Sequence, residues 1–190
     1  CDGGALDEAI AERKSFGQPF EVPRVRHWVL QITSALAYIH SERVIHRDLK
    51  TANIFLTGRD GELAKLGDFG ISRLMSSQTS LANTQVGTPY YLSPELIIGQ
   101  DGYDGRADVW SLGIILYELL AFTRPFSGDN LGMLALQITR RPPKPLPSAT
   151  PHDLQELAMR CLNKEAAVRP TSRDLLHAEP LRTWREAAQP

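Results

Sequence analysis

His46-Arg47-Asp48-Leu49-Lys50-Thr51-Ala52-Asn53 is the stretch on which the reading of this 190-residue chain turns. It packs a carboxylate, two cations, an imidazole and a carboxamide into one short polar run. Upstream, Val25, Trp28, Val29, Ile32, Leu36 and Ile39 recur at helical spacing. Pro23 suits a first helical turn, so the spacing predicts a helix from Pro23 to about Ser41. A shorter helix is expected over Leu6–Arg13. Downstream, Asn53-Ile54-Phe55-Leu56 is a short apolar run. Gly58–Gly61 reads as a turn and Leu63–Leu66 as a second short run, so the pair predicts a β-hairpin. The polar run is therefore slung between a long amphipathic helix and a small hairpin.

Further along, residues 71–88 are rich in Ser, Thr and Gln without any period and read as a long loop, functional or disordered. Beyond it the chain is helical. Val109, Trp110, Leu112, Ile114, Ile115, Leu116, Leu119 and Leu120 cover every face of one segment, the mark of a buried helix. Leu131–Ile138 and His152–Leu162 repeat the helical pattern. Pro142, Pro143, Pro145 and Pro147 lie between those two. Pro142 and Pro145 form a PxxP, as an SH3 ligand would, but the run reads as a stiff connector. Thr171, three residues before Asp174, matches a capping box opening a last helix. The fold class is mainly α with small β-hairpins.

Composition sets bounds on function. Hydrophobic residues make up 42% and charged residues 23%, as in ordinary globular domains. The formal net charge of -1 gives no support for general nucleic-acid binding or for an anionic membrane surface. Val109–Phe122, the longest apolar stretch, is interrupted by Ser111, Gly113 and Glu118 and is too short to span a bilayer. Two distant cysteines, Cys1 and Cys161, make neither a disulfide framework nor a zinc site, so a reducing compartment is the default. A chain that opens on Cys without a signal peptide reads as a piece of something longer.

Two more motifs follow the first in order: Asp68-Phe69-Gly70, then Ser93-Pro94-Glu95 preceded by Gly87-Thr88-Pro89. Singly, each is as well explained by a turn or a loop. In this order the series resembles the signature of eukaryotic protein kinases. The resemblance runs through nearly all of residues 1–190 and corresponds to the hinge plus the larger, C-terminal lobe of that α+β fold, with the N-terminal lobe absent and residues 67–95 as the activation segment.

Phosphoryl transfer rests on positioning and charge stabilisation, and the residue types fit. Asp48 can be the base near the attacking hydroxyl. Lys50 can place a cation near the moving phosphate. Asn53 and Asp68 can supply hard oxygens to Mg²⁺. Gly70 lets the chain turn sharply after the metal ligand. The resemblance further implies that Cys1-Asp2-Gly3-Gly4 is the hinge touching adenine and that Phe55 is the floor beneath it. Asp108 would brace the backbone at His46 and Arg47, with Phe69 belonging to the same structural framework. Arg169 would pair with Glu95.

Lys50 after Asp48, and Gly87-Thr88 before Pro89, are similar to the serine/threonine class. Asn53-Ile54-Phe55-Leu56-Thr57, Leu66-Gly67-Asp68-Phe69-Gly70 and Thr88-Pro89-Tyr90-Tyr91-Leu92-Ser93-Pro94-Glu95 narrow the resemblance to the NIMA-related (NEK) family. Relatives often carry an acid after the two hinge glycines, where this chain has Ala5. The implied activity is transfer of the ATP γ-phosphate to Ser/Thr hydroxyls of proteins, as a non-specific serine/threonine kinase. ATP and Mg²⁺ are the implied cofactors, and the implied setting is cytoplasmic or cytoskeletal. Thr88 would tie Asp48 to Lys50 beside the acceptor. A phosphate on the 71–88 loop, first at Thr84 and then at Ser80 or Thr79, could pair with Arg47.

The sequence holds no G-x-G-x-x-G run to cover the phosphates. A piece starting at the hinge would hold half an ATP site, and alone it is expected not to turn over. The alternative is a non-catalytic kinase-like module that binds or scaffolds partners. Neither substrate nor oligomeric state can be read from these residues.

Overall fold

The computed structural model describes residues 3–67, 89–100, 102 and 104–187. Its first elements are α1 (Leu6–Ser15) and α2 (Val22–Ser41). The Glu8 carboxylate accepts from the Ala5 N–H at 3.0 Å and satisfies one of the donors that a helix start leaves unpaired. In α2, Pro23 sits in the first turn, where its missing N–H costs nothing. Val25, Trp28, Val29, Ile32, Leu36 and Ile39 form the buried stripe, as their spacing requires. Both helices run about a turn or less beyond the predicted limits.

The hairpin is β1 (Ile54–Thr57) and β2 (Leu63–Leu66), antiparallel, with Ile54 opposite Leu66 and Thr57 opposite Leu63. The turn between them needs Gly58, which sits at φ 83° in the left-handed region. Helix α2 holds this small sheet in place. Trp28 Nε1 donates to Gly61 O at 2.9 Å, and Gln31 Oε1 accepts from the Ala64 N–H at 2.6 Å. Gln31 thus occupies a backbone donor on the outer edge of β2 that would otherwise be open.

After α3 (Pro94–Ile97) comes α4 (Arg106–Ala121), buried almost all round. Its apolar residues serve two cores at once. Val109, Leu112, Ile115 and Leu116 face the larger core built with α2 and α6, while Trp110 and Ile114 face a smaller one with Phe126, Leu134, Ile138 and Leu162. Each such side chain contributes roughly 1.5–3 kcal/mol on burial. Helix α6 (His152–Cys161) approaches α4 at Gly113, where an added Cβ would come within 2.8 Å of Cys161 Cβ.

Helix α5 (Leu131–Arg140) opens on Asn130, whose side chain accepts from the Met133 N–H. The proline run after it is a docked connector. Lys144 N donates to Pro125 O at 3.1 Å, Tyr117 Oη donates to Pro145 O at 3.2 Å, and Leu146 is buried. Those contacts hold the run to the domain through its backbone and Leu146, while Pro142 and Pro145 stay exposed. The Thr171/Asp174 capping box opens α7 (Ser172–His177), as predicted. That helix is not the last one, because α8 (Leu181–Ala187) follows and buries Leu181. Neither α8 nor α3 was expected, each being too short for a period to register. The predicted 71–88 loop lies outside the described residues. Mostly helical with one two-stranded sheet, the architecture matches the mainly-α expectation. Among the described residues no helix is long and apolar enough to cross a membrane.

Candidate active site

The polar run leaves α2 through a turn, with Arg43 at φ 60° and Val44 N bonded to Ile39 O at 2.9 Å. It is then clamped from behind. Asp108 in the first turn of α4 accepts from the His46 N–H through Oδ2 at 2.8 Å and from the Arg47 N–H through Oδ1 at 3.0 Å. Arg47 adopts φ 68°, a left-handed conformation that costs a non-glycine residue on the order of 1–3 kcal/mol unless its surroundings impose it. The Asp108 carboxylate imposes it here.

Asp108 has further support that the sequence did not disclose. His40 Nε2 lies 2.8 Å from Asp108 Oδ2, and His40 Nδ1 lies 2.8 Å from Ser172 Oγ. A chain of side chains thus runs from α7 through α2 to α4 and into the polar run. His46 is buried, and its Nε2 stands 3.1 Å from Gly67 O.

The front of the run faces outward. Lys50 Nζ donates to Asp48 Oδ2 at 2.8 Å. The Asn53 amide nitrogen donates to Asp48 O at 2.8 Å and to Asp48 Oδ2 at 3.2 Å. The Asp48 and Lys50 side chains are 35% and 37% exposed, so solvent reaches the pair and it adds little to stability. A single turn of 3₁₀ helix, Thr51–Asn53, folds Asn53 back over Asp48. Gly67 N donates to Asn53 O at 2.9 Å, which brings the end of β2 beside the same turn.

The first described residues line the hairpin. Gly3 N donates to Leu56 O at 3.2 Å, Leu56 N donates to Gly4 O at 2.9 Å, and Ala5 bridges to Phe55. Gly3 has no room for a side chain, since a Cβ would sit 3.0 Å from Leu56 O. The half-buried Phe55 ring packs directly against Gly67. Phe55 is therefore a strand residue whose backbone pairs with Ala5 and whose ring covers Gly67. Cys1, Asp68, Phe69, Gly70, Thr84 and Thr88 lie outside the described residues.

Glu95 and Arg169 form a bidentate pair at 2.7 and 2.9 Å. Burial pushes the Glu95 carboxyl up, but the Arg169 guanidinium outweighs it and holds the group below its ordinary 4.5. Arg169 also donates to Asn163 O and Arg106 O, so this buried cation is well satisfied. It anchors α3 to α4 and to the 163–169 turn.

Sequence reasoning missed one polar ladder. The Tyr91 hydroxyl donates to Glu118 Oε2 at 2.5 Å, and Thr51 Oγ1 stands 2.9 Å from the same oxygen of Tyr91. Arg124 Nε donates to Glu118 Oε1 at 3.0 Å. Burial first, then the Glu118 carboxylate, raises the Tyr91 hydroxyl far above its ordinary 10. Burial also raises Glu118, although Tyr91 and Arg124 act against it. Glu118 had stood out only as a carboxylate interrupting an apolar helix, which was the one available signal.

Comparison with known proteins shows the family. The family model described as "Protein kinase domain" matches residues 1–180. A protein named probable serine/threonine-protein kinase nek3 from Dictyostelium discoideum is 43% identical over 177 residues, 93% of this chain and 16% of that protein. Serine/threonine-protein kinase Nek11 from Mus musculus is 40% identical over 178 residues, 94% of this chain and 28% of that protein. Nek3 from the same organism is 42% identical over 176 residues, 93% of this chain and 34% of that protein. The chain thus spans about a third or less of the length of these curated relatives. With the braced loop, the Asp48–Lys50–Asn53 cluster and the family match in agreement, the chain belongs to the protein kinase domain family.

Proposed function

We propose that residues 1–190 form the hinge and large lobe of a NEK-type serine/threonine kinase domain, with residues 67–95 as its activation segment. In this reading the whole protein transfers the ATP γ-phosphate to Ser and Thr hydroxyls of protein substrates. The observation that carries it is the Asp48 carboxylate, held by the Lys50 ammonium and the Asn53 amide on a backbone clamped by Asp108. Asp48 accepts the hydrogen bond of the incoming hydroxyl and orients its oxygen toward phosphorus. Lys50, already beside Asp48, places positive charge where the transferring group gains negative charge.

The donor set fits Mg²⁺. Asn53 directs its amide nitrogen to Asp48, so its carbonyl oxygen is the end available to a cation. Asp68 follows Gly67 and would be the second ligand. When bound, Mg²⁺ supplies neutralisation of phosphate charge. Phe55 and the 3–5 strip form the apolar shelf for adenine. A cytoplasmic or cytoskeletal setting belongs to the same reading, as does Thr84 as the activating phosphorylation site that pairs with Arg47.

The test incubates the full-length protein with γ-labelled ATP, Mg²⁺ and a general acceptor protein. Label is expected on Ser and Thr but not on Tyr, and Asp48→Asn should abolish it. Absent or Asp48-independent labelling would leave the scaffold reading instead.

A further inference from the structure

The connector between α5 and α6 has an outward side that the fold leaves uncovered. Residues 142–147, Pro-Pro-Lys-Pro-Leu-Pro, adopt neither helix nor strand. Each proline fixes its own φ at about −65° and pushes the residue before it into extended backbone. Arg141, directly before Pro142, has φ −107° and ψ 145°, as that rule requires. Such a run takes the polyproline II form, a helix with three residues per turn and therefore three edges. Burial follows that period. Pro143 is half-buried and Leu146, three residues on, is buried. Arg141, Pro142, Lys144 and Pro145, which occupy the other two edges, are exposed. The Lys144 N–H bond to Pro125 O and the Tyr117 Oη bond to Pro145 O tie the run to the domain. One edge is thus pressed inward, and the PxxP pair stands on an ordered outer ridge.

Charge narrows the occupant. Residues 131–152 hold Arg140, Arg141 and Lys144 and no Asp or Glu, in a chain with 22 acidic residues. Arg140 and Arg141 are exposed, and Lys144 Nζ donates to a neutral partner, Ser127 Oγ, at 2.8 Å. Aromatic-lined grooves of the SH3 type take PxxP segments in this form and gain from its being preformed. We infer that the 141–145 ridge is a docking site for a protein domain whose groove is lined by aromatic rings and rimmed by carboxylates, an SH3-type partner. Because the run is already ordered on the domain, docking loses little conformational entropy. The acidic rim supplies choice among partners with similar grooves. The inference goes beyond the kinase reading and stands without it, since no residue of the ridge belongs to the Asp48 cluster.

The experiment passes the full-length protein over a panel of purified SH3 domains with acidic groove rims, immobilised on a biosensor. At least one is expected to bind with a Kd below about 100 μM, the weak end for a short preformed ligand. Pro142→Ala combined with Pro145→Ala should weaken that binding about tenfold, as the loss of two apolar anchors. Arg141→Glu should weaken it about fivefold and flatten its dependence on salt. Pro143→Ala, on the inward edge, should leave it within about twofold. Denaturant midpoints close to the wild type show that the variants fold, and phosphate transfer to a general acceptor should be the same in all of them. Binding by no domain of the panel, or binding that the paired proline variant leaves untouched, overturns the inference. A loss for Pro143→Ala as large as for the outer prolines overturns it too, because the partner would then read the run undocked. Absence of phosphate transfer in the same preparations would overturn the kinase reading and leave this one in place.

Discussion

Asp48 and Asp108 belong to the same network and have opposite characters. Asp108 is enclosed, and both its oxygens are used to hold backbone N–H groups and His40. Asp48 is a third exposed and, among the described residues, its carboxylate is bonded to groups that can shift, a lysine ammonium and a carboxamide. The contrast separates two tasks that one residue type can perform. The enclosed carboxylate fixes geometry by having no alternative partners. The open one keeps lone pairs and solvent access, as its proposed role of receiving a hydroxyl requires.

Substitution can break this contrast, and the largest expected effect is at the open site. Asp48→Asn should lower phosphate transfer by roughly 10²–10⁴-fold. Its unfolding free energy should stay within about 0.5 kcal/mol of the wild type, as for a partly exposed side chain. Enzyme assay beside urea denaturation measures both. A large loss of stability would mean that Asp48 too is architectural.

Asp108→Ala should behave in the opposite way. It removes the acceptor of the His46 and Arg47 N–H groups, at about 1–3 kcal/mol for the buried bond at His46. The left-handed turn at Arg47 loses its support as well. Denaturant midpoints should fall and activity should fall with them. Intact stability with lost activity would move Asp108 into the chemistry.

The Glu95–Arg169 pair sharpens the comparison through pH. Arg169 depresses the folded-state value of Glu95 below its ordinary 4.5. Its stabilisation is then fully present above about pH 4.5 and is lost as pH falls through the depressed value. Denaturation between pH 7 and pH 3 should give a shallower acid limb for Glu95→Gln than for the wild type. Parallel limbs would mean that Glu95 does not contribute. The smallest expected change is Ser172→Ala, at about 1 kcal/mol for one lost hydrogen bond behind His40, read from the same denaturant curves.

Where the chain announces itself in the sequence, it does so through period and punctuation. Helix α2, the hairpin and the capping box at Thr171 were all legible because each repeats or caps within a few residues. Helices α3 and α8 are too short to show a period. The site divides along the same line. Asp48, Lys50 and Asn53 are close in sequence and stand out together, whereas His40, Ser172, Tyr91 and Arg124 gain meaning only from partners far along the chain. His40 and Ser172 meet across 132 residues, and no local pattern could have paired them. Arg124 takes its meaning from Tyr90 and Glu118, which the fold sets beside it.

The Asp108 clamp also sets an order in time. The loop that carries Asp48 is synthesised 62 residues before the carboxylate that holds His46 N, and Ser172 arrives later still. During translation the nascent chain therefore bears the polar run without the carboxylate that fixes its backbone. On the proposed kinase reading, competence is a product of completed folding, and a ribosome stalled before α4 would release a polypeptide that carries Asp48 without its clamp.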